Sequence, residues 1–438
     1  MKPRIFTLKA IRKTSHLTKR LAANSANFLG KVENKATYLI ENGLLNDSVN
    51  IDDFIYRKFP HITPVHPVLP QLGQKPSVTV FAFLHPAGFY GGIATLLFVG
   101  AKLANKLGYD LRVVQTTGYS DKVDVVEFLN KNDIEMSHER YSTLNLSKRS
   151  INNYGYLPLH EDDVILTSAW WDSYIASAIP TKNKRVYLIQ DFEPIFYNNS
   201  DEYALADSTY YENGFIPVTN TKILLEYFKQ NNYEYIAKNA SYFEPAPAPD
   251  VEIKTPQETS SYEKTLFLYG RPNVDRNLFY SAIAAIDKAL GDERLQKYKW
   301  TIYSAGSNEV PNLRLKNGLT IVNKGKMSTD DYYTFAQSVD VTISPMLAPH
   351  PNYPTLELAS LGSTVVTTKW QTKQDLSFYS KNIFMADPTV DSMAQKIIEA
   401  ATLTKAQRND NLQENNINTD WNEALNSTIA EITQKLSL

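Results

Sequence analysis

From Ser77 onward, short apolar runs alternate with longer stretches of helical periodicity. Val78–Leu84, Leu111–Gln115, Val164–Ser168, Arg185–Gln190 and Phe215–Thr219 read as buried strands, and Ile93–Leu107 as a helix following the first of them. Strands that alternate with helices predict a parallel sheet covered on both faces. The run Glu244-Pro245-Ala246-Pro247-Ala248-Pro249 has the composition of a stiff linker. The alternation then restarts, with strands expected at Thr265–Tyr269, Trp300–Ser304, Leu319–Val322, Val341–Ser344, Thr364–Thr368 and Ile383–Met385. Ser328 is placed to cap a helix that carries Asp330 and Asp331 in its first turn, where acids suit the helix dipole. The expected fold is α/β: two doubly wound, Rossmann-like domains over residues 76–250 and 263–404, followed by a polar helical segment over 405–438. Domains of this kind bind ligands at the carboxyl ends of their strands, so a cleft between two facing sheets is the expected site.

Residues 1–75 differ from the rest. Between Met1 and Lys35 there are nine basic residues (Lys2, Arg4, Lys9, Arg12, Lys13, Lys19, Arg20, Lys31, Lys35) against one acid, Glu33. Ile5, Leu8, Ile11, Leu17 and Leu21 recur at roughly helical spacing, which predicts a basic amphipathic helix. Two readings stand: a helix lying on an anionic membrane surface as a peripheral contact, or one packed on a neighbouring domain or a second subunit. Pro60, Pro64, Pro67 and Pro70 then predict an extended connector.

Composition narrows the function. A formal net charge of −2 over 438 residues argues against nucleic acid as the main partner. The chain has no Cys, which removes thiolate metal sites, disulfides and thiol catalysis. Lys9, Arg12 and Lys13 interrupt any secretory apolar core, and no apolar stretch approaches the roughly 20 residues that span a bilayer, so the expected location is cytoplasmic. The 27 Tyr and 19 Phe read first as an aromatic-rich core, although sugar-binding clefts also use such rings.

Four constellations carry candidate chemistry. Gly270-Arg271-Pro272-Asn273-Val274-Asp275-Arg276 follows a buried strand. Two guanidinium groups at a strand end suit a diphosphate, because Arg stays charged and bonds phosphate oxygens in pairs; surface ion pairing is the plainer alternative. Ser344 to Glu357 follows another strand, and Pro354 stands where a helix should begin. That helix would aim backbone amides at an anion, and Glu357 in its first turn would either accept from ribose hydroxyls or complement the dipole. Gly91 and Gly92 close the loop after the first strand and permit close backbone approach to a ligand, without the spacing of a dinucleotide fingerprint. Gln190, Asp191 and Glu193 end a first-domain strand and offer an amide and two carboxylates to a cleft. Trp170 and Trp171 end the strand before it; core packing is the commoner fate of such a pair.

Together these segments resemble the family 4 glycosyltransferases of the GT-B fold, and more narrowly the WsaF-type rhamnosyltransferases that build bacterial surface rhamnans. The phrases Ile189-Gln190-Asp191-Phe192-Glu193-Pro194, Tyr269-Gly270-Arg271-Pro272 and His350-Pro351-Asn352-Tyr353-Pro354-Thr355-Leu356-Glu357 carry the narrower resemblance, which runs from about Ser77 to the C-terminus. Pro349 stands where the broad family has the first Glu of its motif, and Gln190 where many members have a histidine. The resemblance implies a retaining transferase with a nucleotide-diphosphate sugar donor, dTDP-L-rhamnose, and a growing, lipid-linked saccharide as acceptor. It implies donor contacts from Gly91, Gly92, Arg271, Arg276, Lys324, Tyr353 and Glu357, catalytic roles for Gln190, Asp191 and Glu193, and no cofactor. It also implies that the terminal helical segment crosses back to the first domain. No strand-end Asp-x-Asp and no dense His/carboxylate cluster calls for a metal. Two rivals are an epimerase of nucleotide sugars on the same scaffold, and a GT-B protein that only binds saccharide or scaffolds an assembly.

Overall fold

The computed structural model describes residues 50–437 except 86–88, 90, 119, 121, 153 and 248–261. The basic helix expected before Lys35, Gly88 and the end of the proline-rich run lie outside the described residues. The described residues divide at Pro60 into two units, 50–60 and 61–437. In the first, the helix Ile51–Lys58 is capped by Asn50, whose side chain accepts the Asp52 N–H at 2.8 Å. Asp52 and Asp53 open that helix and Arg57 and Lys58 close it, in the order the dipole favours.

The second unit holds two seven-stranded sheets. In the first sheet all strands are parallel, and Ser77–Phe81 is the third of the seven. Asp110–Gln115 and then Tyr141–Asn145 extend it on one side; Val164–Thr167, Arg185–Ile189, Ile216–Asn220 and Ser241–Phe243 extend it on the other. Ser77–Phe81 and Val164–Thr167 are buried at every position, as strands covered on both faces must be. Alternation sends their side chains to two cores. Val78, Val80, Val186 and Leu188 enter one with the helix Gly92–Leu107, whereas Phe81, Ile165, Tyr187 and Ile189 enter the other with Phe192, Tyr210 and Phe228.

The second sheet repeats the plan around Glu263–Tyr269, which pairs with Lys299–Ala305 on one side and Val341–Ile343 on the other. Thr320–Asn323 follows the former, and Thr364–Thr368 then Ile383–Ala386 follow the latter, all parallel; only Leu313–Arg314 runs antiparallel at the edge. Leu266 and Leu268 face one core and Phe267 the other.

Three features differ from the sequence reading. Tyr141–Asn145 and the short parallel ribbon of His66–Val68 with Tyr156–Pro158 are strands with too little burial to show as apolar runs. Residues 61–75 belong to the larger unit, with Val65 in its core and the carbonyls of His61 and Thr63 accepting from Arg149, so the extension grouped as 1–75 is divided at Pro60. Glu244, placed by composition in a spacer, is instead a structural tie. It accepts the Lys222 N–H at 3.0 Å and the hydroxyl of Tyr379 in the second domain.

The C-terminal segment joins both domains. Arg408, in the helix Lys405–Gln413, donates to Asp340 Oδ1 at 2.6 Å. The helix Trp421–Leu436 then packs on the first domain, where Leu425, Ile429 and Ile432 complete the core of Val78 and Leu97. Lys102 donates to the side chains of Asn422 at 2.8 Å and Asn426 at 3.1 Å. Leu425 is fully buried, so Leu425→Ala should lower the unfolding free energy by about 2–5 kcal/mol in chemical denaturation. An unchanged midpoint would show that the helix is not part of the first domain's core.

Candidate functional site

In each sheet the strand that comes first in sequence marks the point where successive connections leave in opposite directions, and the carboxyl ends of the strands beside such a point form a crevice. Ala82, Phe83, Ser168 and Ala169 follow the two strands that flank this point in the first sheet. Arg271 and Met346 follow their counterparts in the second. All six line one cleft of about 440 Å³. The site is therefore set by topology before any side chain is considered.

Of the residues singled out from sequence, Gly91, Gly92, Gln190, Asp191, Glu193, Arg271, Arg276 and Tyr353 line this cleft. Gly91 precedes the helix Gly92–Leu107 with φ of 49°, a conformation that favours glycine, and no side chain caps that helix. A Cβ on Gly92 would sit 3.1 Å from the Gln190 amide. That closeness lets Gln190 Nε2 donate to the Gly92 carbonyl at 2.8 Å and to Ser168 Oγ at 2.7 Å, so the amide braces the loop against the strand end.

Arg276 reaches across the cleft. Its guanidinium lies over the Phe196 ring, 3.8 Å from the centroid, and its Nε is 3.8 Å from Asp191 Oδ2. Tyr353 also crosses: its hydroxyl bonds Thr95 Oγ1 at 2.8 Å and receives the Asn220 amide at 2.6 Å. The structure thus commits the Tyr353 hydroxyl to a tie between domains, a different use from the donor contact expected of it.

Two expected contacts lie away from the lining. Lys324 places its ammonium 4.4 Å from the Tyr303 ring centroid and 5.0 Å from that of Phe335. Glu357 falls in the second turn of the helix Tyr353–Ser360, not the first, because the helix starts one residue before Pro354. Its Oε2 accepts the Tyr332 hydroxyl at 3.2 Å, and burial pushes its pKa up to about 7.

The cleft gathers acids whose burial favours their protonated forms. Burial pushes Asp191 up to about 6, although Arg276 and the Phe192 N–H favour its charge. Glu193 accepts the Trp170 N–H at 2.6 Å, yet burial and the neighbouring Asp191 and Asp172 push it up to about 8. Asp172, which accepts the Thr116 hydroxyl, is pushed by burial to about 7. At neutral pH Glu193 is thus mostly a carboxylic acid, and Asp191 mostly an anion.

Five buried side-chain atoms lining the cleft have no hydrogen-bond partner: Trp171 Nε1, Gln190 Oε1, Asn220 Oδ1, Arg276 Nε and His350 Nε2. Buried polar groups are almost always satisfied, so such a concentration marks where a polar ligand fits. Trp170 is fully buried as core, while its neighbour Trp171 turns its indole to the cleft.

Sequence reading missed two residues here. His350 had no signal beyond lying in the motif. Lys373 had none at all, in a polar stretch well after it. Lys373 is fully buried and donates to the carbonyls of Met346 at 2.9 Å and His350 at 3.2 Å, holding the loop that carries His350. Burial lowers its pKa to about 7.

Two Rossmann-like domains that face each other across such a cleft make the GT-B fold of glycosyltransferases. Sucrose-phosphate synthase from Thermosynechococcus elongatus superposes with a TM-score of 0.56 at 11% identity, covering 83% of this chain and 99% of that one. A S. aureus TarM mutant solved with UDP, fondaparinux and alpha-GlcNAc-glycerol gives 0.54 at 10% identity, covering 82% and 99%. Anabaena HepE in complex with UDP gives 0.51 at 13% identity, covering 82% and 99%. The models of the N-terminal and C-terminal domains of WsaF match residues 79–222 and 264–398. The chain belongs to the WsaF family of GT-B glycosyltransferases. It is 28% identical over 269 residues to the O-antigen biosynthesis protein RfbC of Myxococcus xanthus, over 59% of this chain and 20% of that protein. The chain thus spans about a fifth of that curated relative's length.

The raised carboxyls set a pH dependence. Glu193 keeps its proton up to about pH 8, whereas an unfolded glutamate releases it near 4.5. Between these values the folded state binds more protons, so stability falls as pH rises through the window. Asp191, Asp172 and Glu357 act in the same direction up to about 6, 7 and 7. Lys373 opposes them only above about 7, where the folded chain loses a proton the unfolded one keeps. Glu193→Gln can still accept the Trp170 N–H, and it should flatten the fall in melting temperature between pH 6 and 8. An identical slope in the variant would show that Glu193 is not held as an acid.

Proposed function

We propose that this chain is a retaining glycosyltransferase that moves a deoxyhexose, L-rhamnose from dTDP-L-rhamnose, onto a growing bacterial surface polysaccharide. The observation that carries the reading is the set of unpartnered polar atoms around Arg276, between the carboxyl ends of two sheets. A partly buried cation with one carboxylate at 3.8 Å and an unbonded Nε suits an added anion. In this reading Arg271 and Arg276 hold the diphosphate, and the uncapped helix after Gly91 turns amides towards it. Charge developing on the departing diphosphate is the largest thing to stabilise, and fixed cations and amides do so without a metal ion. Glu357, behind the lining with Tyr332, is assigned to the ribose. Lys324, held on two aromatic rings, is assigned no phosphate contact.

The transfer proceeds on one face of the sugar. The acceptor oxygen bonds the anomeric carbon as the carbon–phosphate oxygen bond breaks, and the acceptor's proton passes to that departing oxygen. The protein then needs to position groups rather than supply a base. Asp191 orients the acceptor hydroxyl, Gln190 contacts the transferred sugar, and Glu193 holds the loop through Trp170. The acceptor is lipid-linked, and the basic segment before Lys35 would favour the anionic membrane face that carries it.

Arg271→Ala and Arg276→Ala should each weaken dTDP binding and cut turnover at least tenfold, about 1.4 kcal/mol. Calorimetry with dTDP and a saccharide-transfer assay in excess EDTA make the check, with melting curves to confirm folding. Wild-type affinity in both variants would remove the clamp. Conversion of the donor alone to its epimer would replace transfer with epimerisation.

A further inference from the structure

His350 precedes the helix Tyr353–Ser360, is 6% exposed and lines the cleft. Its Nδ1 accepts the backbone N–H of Asn352 at 3.0 Å. A ring nitrogen that accepts carries no proton, so in the neutral imidazole the proton resides on Nε2. Nε2 is buried and has no partner. The backbone around it is fixed from two sides. Lys373 donates to the His350 carbonyl, and the Asn352 side chain donates to Ser344 Oγ at 2.8 Å. Asn352 takes a φ of 73° to bring its N–H under the ring. Burial, and then the charges of Lys373 and Arg276, push the His350 pKa down to about 3, so the ring stays neutral at working pH. The result is a rigid neutral N–H donor that cannot accept from a sugar hydroxyl. It needs an acceptor, and the charge of Arg276 acts on the same ring.

We propose that His350 Nε2 donates a hydrogen bond to a non-bridging oxygen of the sugar-proximal phosphate of a nucleoside-diphosphate sugar, next to Arg276. The inference rests on the nucleotide-sugar reading of the cleft, and nothing in the sequence motif assigns the ring this contact. An imidazole N–H gives direction where a second cation would give only charge. It thereby fixes the phosphate whose oxygen must leave and receive the acceptor's proton.

The test is calorimetric titration of the full chain with dTDP and UDP, each paired with its monophosphate. His350→Phe removes the donor; His350→Gln keeps an N–H near the Nε2 position. In His350→Phe the diphosphate affinity should fall at least tenfold while the monophosphate affinity stays within about twofold, and His350→Gln should recover most of the loss. The ratio of wild-type to His350→Phe affinity should stay flat from pH 5.5 to 8.5. Two results would overturn the proposal: an unchanged diphosphate affinity, or an equal loss for mono- and diphosphate as from a collapsed loop. A wild-type chain that binds no nucleoside diphosphate would overturn the functional reading itself, and this inference with it.

Discussion

The charge of Arg276 is the constraint on which the site depends. A guanidinium does not give up its proton in a protein, so a buried one must be answered by other groups. Burial works against its charge, and Asp191 across the cleft is 3.8 Å away without a hydrogen bond to Nε. Burial works against the charge of Asp191 as well, although Arg276 favours it. The Phe196 ring covers the guanidinium face, and the Arg276 carbonyl takes the Leu347 N–H at 2.8 Å, which ties the arginine loop to the His350 loop. What remains without a hydrogen-bond partner is Nε. An anion there would offset the cost of burying the guanidinium charge.

Such a site works only in a rigid frame, and the frame here is built from ties between the domains. The Tyr353 hydroxyl joins Thr95 and Asn220, Glu244 joins Lys222 to Tyr379, Thr372 donates to the Ile223 carbonyl at 3.3 Å, and the terminal helix closes the first domain's core. Around these fixed contacts lie polar atoms that have none. Groups held in place before the ligand arrives need no reorganisation when it does, which is the condition for electrostatic catalysis.

Much of this was legible in the sequence, and the exceptions have physical causes. The strand Val164–Thr167 is buried on both faces and shows as an apolar run, whereas Tyr141–Asn145 at a sheet edge is mostly solvated and does not. Pro354 foretold a helix start, but the helix begins at Tyr353, which carries Glu357 into the second turn. Gln190, Asp191 and Arg276 could be placed at the cleft because they follow strands closely. Lys324 follows a strand too, yet its ammonium goes to Tyr303 and Phe335, a choice fixed by neighbours distant in the chain. His350 and Lys373 owe their roles to backbone partners and burial, neither of which a residue type reveals.

The central claim is that Arg276 receives a diphosphate, and a crystal structure of the chain with dTDP or UDP tests it most directly. The account predicts phosphate oxygens within hydrogen-bonding distance of Arg276 Nε and Arg271, with the cleft's unpartnered atoms partly satisfied. A nucleotide bound elsewhere, with Arg276 still facing only Asp191 and Phe196, would contradict it.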